Sequence, residues 1–164
     1  MHVLRIQNGK AELEKVEEKT LDGNYAILSH TWLDNESDEV TFEDLQRDQF
    51  RHKRGYSKLQ FCIEQAEKDG FEYVWIDTCC IDRSSSELLQ QAITKMFAWY
   101  RDSKKCYALL TDVCASTSEQ KSWEAQFRRS RWFTRGWSKY WKKIQYDASA
   151  DSDSSARASC TQIC

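Results

Sequence analysis

The sequence lacks an apolar run long enough to cross a bilayer, which takes about 20 residues, and it contains no internal repeat. The first absence excludes a transmembrane helix, and the second excludes a repeat architecture. Residues 1–19 are charged and lack the apolar core of a secretory signal. The seven cysteines are an odd number. We therefore expect reduced thiols in a cytoplasmic protein rather than a disulfide scaffold.

The chain also lacks a large excess of positive or negative charge. The net charge is −2, which argues against a protein that binds polyanions over its whole surface. The charge is nevertheless uneven, because residues 128–146 contain seven basic and no acidic residues, while the rest of the chain contains 17 basic and 26 acidic ones. A local basic stripe over 128–146 is therefore present in the sequence.

Apolar residues make up 40% of the 164-residue chain and aromatic residues 13%. This content is enough for the core of one domain of this length. We place that domain over residues 1–146. Residues 147–164 are rich in Ser, Ala and Asp and poor in apolar residues, so they are predicted to be a disordered tail.

The order of apolar segments predicts an α/β fold. Asn8-Gly9 lies between short apolar runs and predicts an N-terminal β-hairpin, because both turn residues must accept positive φ. Buried strands are predicted over three segments, 25–29, 71–77 and 105–110. Strands that alternate with helices indicate βαβ units, and hence a mainly parallel sheet with flanking helices.

Helix starts are predicted from capping patterns. A short capped helix is expected over 41–45. Capping boxes are formed by Ser57 with Gln60 and by Ser84 with Glu87. The helix from Ser57 has an apolar face made of Leu59, Cys62, Ile63 and Ala66. The helix from Ser84 has an apolar stripe made of Leu89, Ile93, Met96 and Tyr100.

The ends of the predicted strands carry polar side chains. His30 follows the first strand, Asp77 the second and Asp112 the third. Ligands of open α/β sheets bind beyond the carboxyl ends of the strands. We therefore expect the loops of these three residues to lie along a single rim.

Several ordered segments together resemble the fungal heterokaryon incompatibility (HET) domain. The opening signature is residues 25–32 (YAILSHTW), and the central block is residues 73–82 (YVWIDTCCID). Further similar segments are 39–42, 96–100, 107–112 and 131–137. The resemblance implies a flavodoxin-like fold related to the TIR domain. It also implies a fungal protein that triggers programmed cell death through protein partners after non-self recognition.

The sequence departs from the family after Arg135-Gly136-Trp137. The family continues with Thr-Leu-Gln-Glu, whereas residues 138–141 read SKYW, so Trp141 stands at the position of the glutamate. This change suggests a truncated or frameshifted product. Loss of a covering helix would expose apolar sheet surface, from which we expect self-association.

TIR-like domains can hydrolyse NAD, so an NAD glycohydrolase is an alternative function, with NAD as substrate and no cofactor required. That chemistry needs a carboxylate near the ribose, which Trp141 cannot supply. Asp77 and Asp82 are the candidate substitutes, followed by Glu87. The activity of the chain as an enzyme is therefore left open.

Residues near the strand ends and in the last block are candidates for ligand binding. They are His30, Trp32, Asp77, Cys80, Asp82, Arg135 and Trp137. Each has a structural alternative: the aspartates can cap local backbone, His30 can be a hydrogen-bonded core residue, and Cys79-Cys80 fit buried thiols. Adjacent cysteines lack the spacing of a zinc pair, so no metal site is predicted.

The 128–146 stripe alternates aromatic with basic residues, a pattern that can bind nucleotides or nucleic acid. The favoured interpretation is a segment that packs its aromatic side chains on the sheet while Arg and Lys extend outward. Nucleic acid is accordingly the less favoured partner.

Overall fold

The computed structural model describes residues 1–113, 120–134 and 159–163 of the chain. The strands are β1 (His2–Gln7), β2 (Lys10–Lys15), β3 (Ala26–His30), β4 (Tyr73–Ile76), β5 (Lys105–Leu109) and β6 (Ser159–Ile163). The α-helices are α1 (Glu18–Leu21), α2 (Phe42–Gln46), α3 (Tyr56–Lys68), α4 (Asp77–Cys80), α5 (Ser86–Asp102) and α6 (Gln120–Arg129). Short 3-10 helices lie at Glu36–Asp38 and Arg131–Thr134.

The strands form a mixed sheet in the order β2-β1-β4-β3-β5, and β6 pairs with the other side of β5. β3 is parallel to β4 and to β5, whereas β1 is antiparallel to both β2 and β4. The α/β class with helices and the N-terminal hairpin are confirmed. The sheet is mixed rather than mainly parallel, because the hairpin pairs with β4 and adds two antiparallel contacts on that side.

The hairpin turns at the predicted dipeptide. Asn8 and Gly9 have φ values of 53° and 71°, as a two-residue turn with left-handed central residues requires. The side chains of β1 that face the core are buried: Val3, Leu4 and Ile6. β2 is the outermost strand on this side, and three of its charged side chains are exposed: Lys10, Glu12 and Lys15.

β3 lies between β4 and β5 at the centre of the sheet. Consecutive residues of these strands are buried, as expected where both faces of a sheet are covered; they include Ile27, Leu28, Val74, Trp75, Cys106 and Tyr107. Because the three strands are parallel neighbours, their carboxyl ends lie at one edge. The prediction of a single rim is confirmed, and "the rim" below means residues 29–33, 77–83 and 110–113.

α3 buries the predicted apolar stripe: Leu59, Cys62, Ile63 and Ala66. The predicted cap at Ser57 is wrong. The helix begins one residue earlier than Ser57, and its N-cap is Gly55, which makes no side-chain cap. The Ser57 hydroxyl instead donates to the Arg54 carbonyl at 3.0 Å. The sequence pattern was present, but the hydroxyl bonds backward to the preceding turn.

The other two helix starts are close to those predicted. α2 is capped by Thr41, and Asp44 completes a capping box with it. α5 is capped by Ser85 rather than by Ser84. The predicted cap is one residue off because the Ser84 amide already donates to the Asp82 carboxylate at 2.9 Å. Of the predicted α5 stripe, Met96 is buried, Leu89 and Tyr100 are partly buried, and Ile93 is exposed.

Two segments differ from the predicted loop and tail. The segment after β4 begins with the helical turn α4 instead of an irregular loop. Most of the predicted disordered tail lies outside the described residues, but Ser159–Ile163 forms β6 in parallel pairing with β5. An edge strand offers unpaired N–H and C=O groups to any segment that can extend, and such pairing does not require the apolar content that the tail lacks.

Two tyrosine hydroxyls and an aromatic cluster fix α5 to the sheet. The Tyr25 hydroxyl donates to the Trp99 carbonyl at 2.6 Å in the buried interior, and the Tyr100 hydroxyl donates to the Leu28 carbonyl at 3.2 Å. The rings of Trp75 and Trp99 lie 5.4 Å apart. Burial raises the pKa of the Tyr25 phenol well above its usual value, so the phenol stays protonated and remains a donor.

Tyr25→Phe should lower the free energy of unfolding by about 1 kcal/mol, because the Trp99 carbonyl loses a buried donor. The matched control is Tyr73→Phe, since the Tyr73 hydroxyl makes no hydrogen bond within the described residues; we expect a change of no more than about 0.5 kcal/mol. Urea denaturation of both variants measures the difference. Equal destabilisation by the two substitutions would contradict the assigned role of the Tyr25 hydroxyl.

Candidate functional site at the rim of the sheet

The rim brings two of the predicted ligand-binding residues, His30 and Trp32, to the carboxylate of a third, Asp77. Asp77, which is 6% exposed, follows β4 and accepts a hydrogen bond from Trp32 Nε1 to its Oδ2 at 3.1 Å. Its Oδ1 lies 3.7 Å from His30 Nε2, a contact that is an ion pair only when His30 is protonated. His30 is 1% exposed. A buried carboxylate requires such polar neighbours, because removing an isolated charge from water is costly.

The outer face of this cluster is formed by an aromatic ring and a cation. The Arg83 guanidinium lies over the Trp32 ring, with Cζ 4.4 Å from the ring centroid. Trp32 is partly buried and Arg83 is exposed. A guanidinium that lies over an indole still has N–H groups at its edge, in the guanidinium plane, that can donate to carboxylate or phosphate oxygens. This face can therefore recognise an anionic group beside an aromatic surface.

A buried ion pair lies behind the loop that carries Trp32. Lys58 Nζ is 2.5 Å from Glu39 Oε1, and the two residues are 5% and 4% exposed. The ammonium also donates to the Thr31 carbonyl at 2.8 Å. The Glu39 carboxylate accepts a hydrogen bond from the Leu33 amide at 2.6 Å. The pair thus binds the backbone on both sides of Trp32.

Sequence reasoning missed this pair, although one signal was available. Lys58 is one helical turn before Cys62 and therefore on the buried face of α3. A lysine at such a position requires a charged partner. Glu39 lies in one of the segments that resemble the HET family, but its charge gave no indication of which lysine it meets. The partner could not be deduced without the fold, since 19 residues separate the two.

Glycine at position 55 permits the close approach of α3 to this loop. A Cβ atom at Gly55 would lie 2.9 Å from Glu39 Oε2 and 2.9 Å from the Asp38 carbonyl oxygen. The Gly55 amide donates to that same carbonyl at 2.8 Å. The first turn of α3, which carries Lys58, is thereby held against the loop before α2.

The part of the rim that follows β5 binds residues 130–133, which come later in the chain. The Asp112 carboxylate accepts hydrogen bonds from Ser130 Oγ and from the Arg131 amide, each at 2.7 Å. Trp132, which is 8% exposed, donates through Nε1 to Ser29 Oγ at 3.0 Å. Residues 130–133, here called the 130–133 segment, therefore cover the ends of β3 and β5.

This arrangement agrees with the packing interpretation for the described part of the basic stripe. Trp132 packs into the core, and three basic side chains are exposed: Arg128, Arg129 and Arg131. The Arg131 guanidinium lies 2.6 Å from Asp34 Oδ1. An acidic neighbour of this kind reduces the positive potential that nucleic acid would require.

The remaining predicted residues of the rim have local roles. Asp82 Oδ1 accepts from the Ser84 amide, and the hydrogen bonds from Ser84 hold the pKa of Asp82 below its usual value. Cys80 is 3% exposed, and its Sγ accepts from the Ile76 amide at 3.4 Å. The hydrogen bond with Cys80 and burial raise the pKa of Cys79 well above its usual value, which keeps it as an unreactive thiol.

The remaining predicted residues lie outside the described ranges or outside the rim. Arg135, Trp137 and Trp141, with most of the predicted stripe, lie outside those residues. Glu87 is exposed in the first turn of α5. Within residues 1–113, 120–134 and 159–163, no group of three or more His, Cys, Asp or Glu is arranged to hold a metal ion. None of the helices described there is long and apolar enough to span a membrane.

The chain is thus an α/β domain whose parallel centre presents a buried Asp77 cluster at the rim. A family model described as Heterokaryon incompatibility protein (HET) matches residues 25–119, and the chain belongs to this family. It is also similar to the Vegetative incompatibility protein HET-E-1 of Podospora anserina, with 50% identity over 116 residues. That alignment covers 69% of this chain and 8% of the relative's length. No solved structure matches the chain significantly.

The contact between Asp112 and the 130–133 segment should depend on pH. Burial raises the pKa of Asp112, but the hydrogen bonds from Ser130 and Arg131 outweigh it and lower the pKa below its usual value. The contribution to stability is therefore present above the unfolded pKa, about 3.9, and lost as pH falls through the lowered folded value. We expect Asp112→Asn to be less stable than the wild type near pH 7. The difference should shrink as the pH falls below the unfolded pKa and through the lowered folded one.

Urea denaturation of the two proteins across this pH range measures the effect. The control is Asp34→Asn, which removes the exposed partner of the Arg131 side chain but leaves both Asp112 hydrogen bonds in place. It should change stability little at any pH, because exposed ion pairs contribute little. A stability difference for Asp112→Asn that persists unchanged to the lowest pH would show that the carboxylate charge is irrelevant to the contact.

Proposed function

We propose that this chain acts in fungal heterokaryon incompatibility as a cytoplasmic domain that signals programmed cell death after non-self recognition. The observation that carries the proposal is the family match over residues 25–119, which includes β3, β4, β5 and the whole rim. One relative is named a vegetative incompatibility protein. Because this chain corresponds to a small part of that relative, the proposal concerns the activity of the domain alone.

The proposal includes a core related to flavodoxin-like and TIR domains. The connection β3-α3-β4-α5-β5 gives the spatial order β4-β3-β5. Numbered along the core, this is the order 2-1-3 with which a flavodoxin-like sheet begins. In that comparison the N-terminal hairpin is an addition beside β4. The strand order supports kinship at the level of topology.

We place the recognition of protein partners at the rim. Arg83 stacked on Trp32 supplies an exposed cation and an aromatic ring, and these are residue types that dominate the binding energy of protein interfaces. The signalling role is favoured over an enzymatic one because Trp141 stands at the position of the family's glutamate, while Asp77 serves as the acceptor for the Trp32 indole. The partner's contribution would be an acidic side chain beside an apolar surface, which suits the guanidinium and the indole.

Inducible expression of the whole chain in a filamentous fungus tests the proposal. The wild type should kill the host, measured as the loss of colony-forming cells after induction. Arg83→Ala should raise survival by about tenfold or more, the effect expected for an interface arginine that contributes substantially to binding. The matched control is Arg51→Ala, because the Arg51 guanidinium lies over the Phe50 ring at 4.9 Å and pairs with Asp48, and neither residue belongs to the rim.

Arg51→Ala should kill as the wild type does, at equal protein levels on immunoblots. A wild-type chain that accumulates without affecting growth would reject the death-signalling role. Killing by Arg83→Ala at the wild-type rate would reject the rim as the recognition surface.

A further inference from the structure

We propose that Glu39 and Lys58 are positioning residues that set the orientation of Trp32 at the rim. The ion pair fixes the backbone on both sides of Trp32 and thereby aims its indole at Asp77. The inference rests on the proposed function only for the biological meaning of the rim. Its structural content can be tested separately.

The contacts of the pair are distributed symmetrically around Trp32. Lys58 Nζ binds the carbonyl of residue 31 at 2.8 Å, and Glu39 Oε1 binds the amide of residue 33 at 2.6 Å. The 2.5 Å contact between the two charged groups joins these anchors into one clamp. The residue between the anchors has little freedom to rotate its backbone, so the direction in which its Cα–Cβ bond leaves the loop is fixed.

The clamp is itself immobilised by α2 and α3. Lys58 belongs to the first turn of α3, and the backbone at Gly55 packs against Glu39. Lys53 Nζ donates to the Glu39 carbonyl at 3.1 Å and to Asp44 Oδ2 at 2.5 Å. The position of Trp32 therefore depends on two helices rather than on the loop sequence alone.

Stability alone is a weak explanation for two buried charges. The desolvation of an ion pair can cancel its Coulombic gain, and apolar residues of the same size often replace such a pair without loss of stability. What apolar residues cannot do is bind the Thr31 carbonyl and the Leu33 amide. The pair therefore supplies two directed hydrogen bonds to the loop that holds Trp32.

The indole N–H of Trp32 reports directly on this role. In the folded protein it donates to Asp77, so its exchange with solvent should be slow and its resonance distinct in a nitrogen–proton NMR spectrum. Trp32→Phe assigns the resonance by its disappearance. The indoles of Trp75 and Trp99, which are buried between α5 and the sheet, serve as internal measures of correct folding.

The decisive variant is the double substitution Glu39→Met with Lys58→Met. It removes both charges at similar volume, so the chain should fold and keep the Trp75 and Trp99 resonances. The Trp32 indole should lose its defined position, and its exchange should accelerate about tenfold or more, as expected for the loss of a protecting hydrogen bond. If the double variant folds and Trp32 keeps its wild-type exchange rate, the pair is merely structural and the proposal is wrong.

A second pair of variants decides the question if the double variant does not fold. Glu39→Gln keeps an oxygen acceptor for both the Leu33 amide and Lys58, whereas Glu39→Gln with Lys58→Met keeps the acceptor for the Leu33 amide, removes the donor to the Thr31 carbonyl and leaves no unpaired buried charge. Glu39→Gln should preserve slow exchange of the Trp32 indole, and the combination with Lys58→Met should accelerate it about tenfold. Identical indole exchange in these two variants would overturn the proposal. Lys95→Met, which removes an exposed ion pair with Glu18 on another surface, should leave Trp32 unchanged.

The killing assay separates this inference from the proposed function. A folded variant with a mobile Trp32 should also fail to kill, with survival raised about as far as by Arg83→Ala. If Trp32 becomes mobile while killing persists, the positioning role stands and the assignment of the rim as the signalling surface fails. If neither changes in the double variant, the positioning role fails while the proposed function is unaffected.

Discussion

The pairing of β3 with a parallel strand on each side is the constraint on which the rest of the molecule depends. Its register places Leu28 opposite Ile76 and His30 opposite Leu109. The residue after Ile76 is Asp77, so it follows the end of β4 at the level of Ser29, one residue before His30, and its carboxylate lies 3.7 Å from His30 Nε2. The clamp on Trp32 and the seat of the 130–133 segment refine this edge, but the register of three short strands creates it.

The predictable parts of the fold are those decided by neighbouring residues. Asn8-Gly9 turns where it should because both residues must be left-handed, and the buried face of α3 follows from the spacing of its apolar residues. The rim was predictable for a similar reason, since three apolar strands separated by helices leave few topologies. The antiparallel attachment of β1 to β4 was not, because nothing in either segment specifies its neighbour.

Two details were predicted wrongly because a serine group that could cap a helix makes a different hydrogen bond instead. Ser84 and Ser57 both had the pattern of a cap, yet Asp82 binds the Ser84 amide first and the Ser57 hydroxyl turns to Arg54. Within the candidate site, His30, Trp32 and Asp77 were identifiable by their position after buried strands. Lys58 was not, because its partners lie in a loop far along the chain and because a single lysine on an amphipathic helix usually extends to solvent. Three aspartates of the rim also differ in function: Asp77 accepts a hydrogen bond from Trp32, Asp82 shapes a turn, and Asp112 holds the 130–133 segment.

The exposed lysine and glutamate side chains of β2 have a consequence for how the sheet meets other molecules. A second copy aligned on this strand would bring charged side chains into direct opposition and would have to desolvate them, so uncontrolled growth of the sheet through its hairpin edge is disfavoured. Another molecule that extends the sheet by pairing a strand with its edge is therefore less able to do so at the hairpin. The molecule is asymmetric in this respect: one flank resists templated polymerisation.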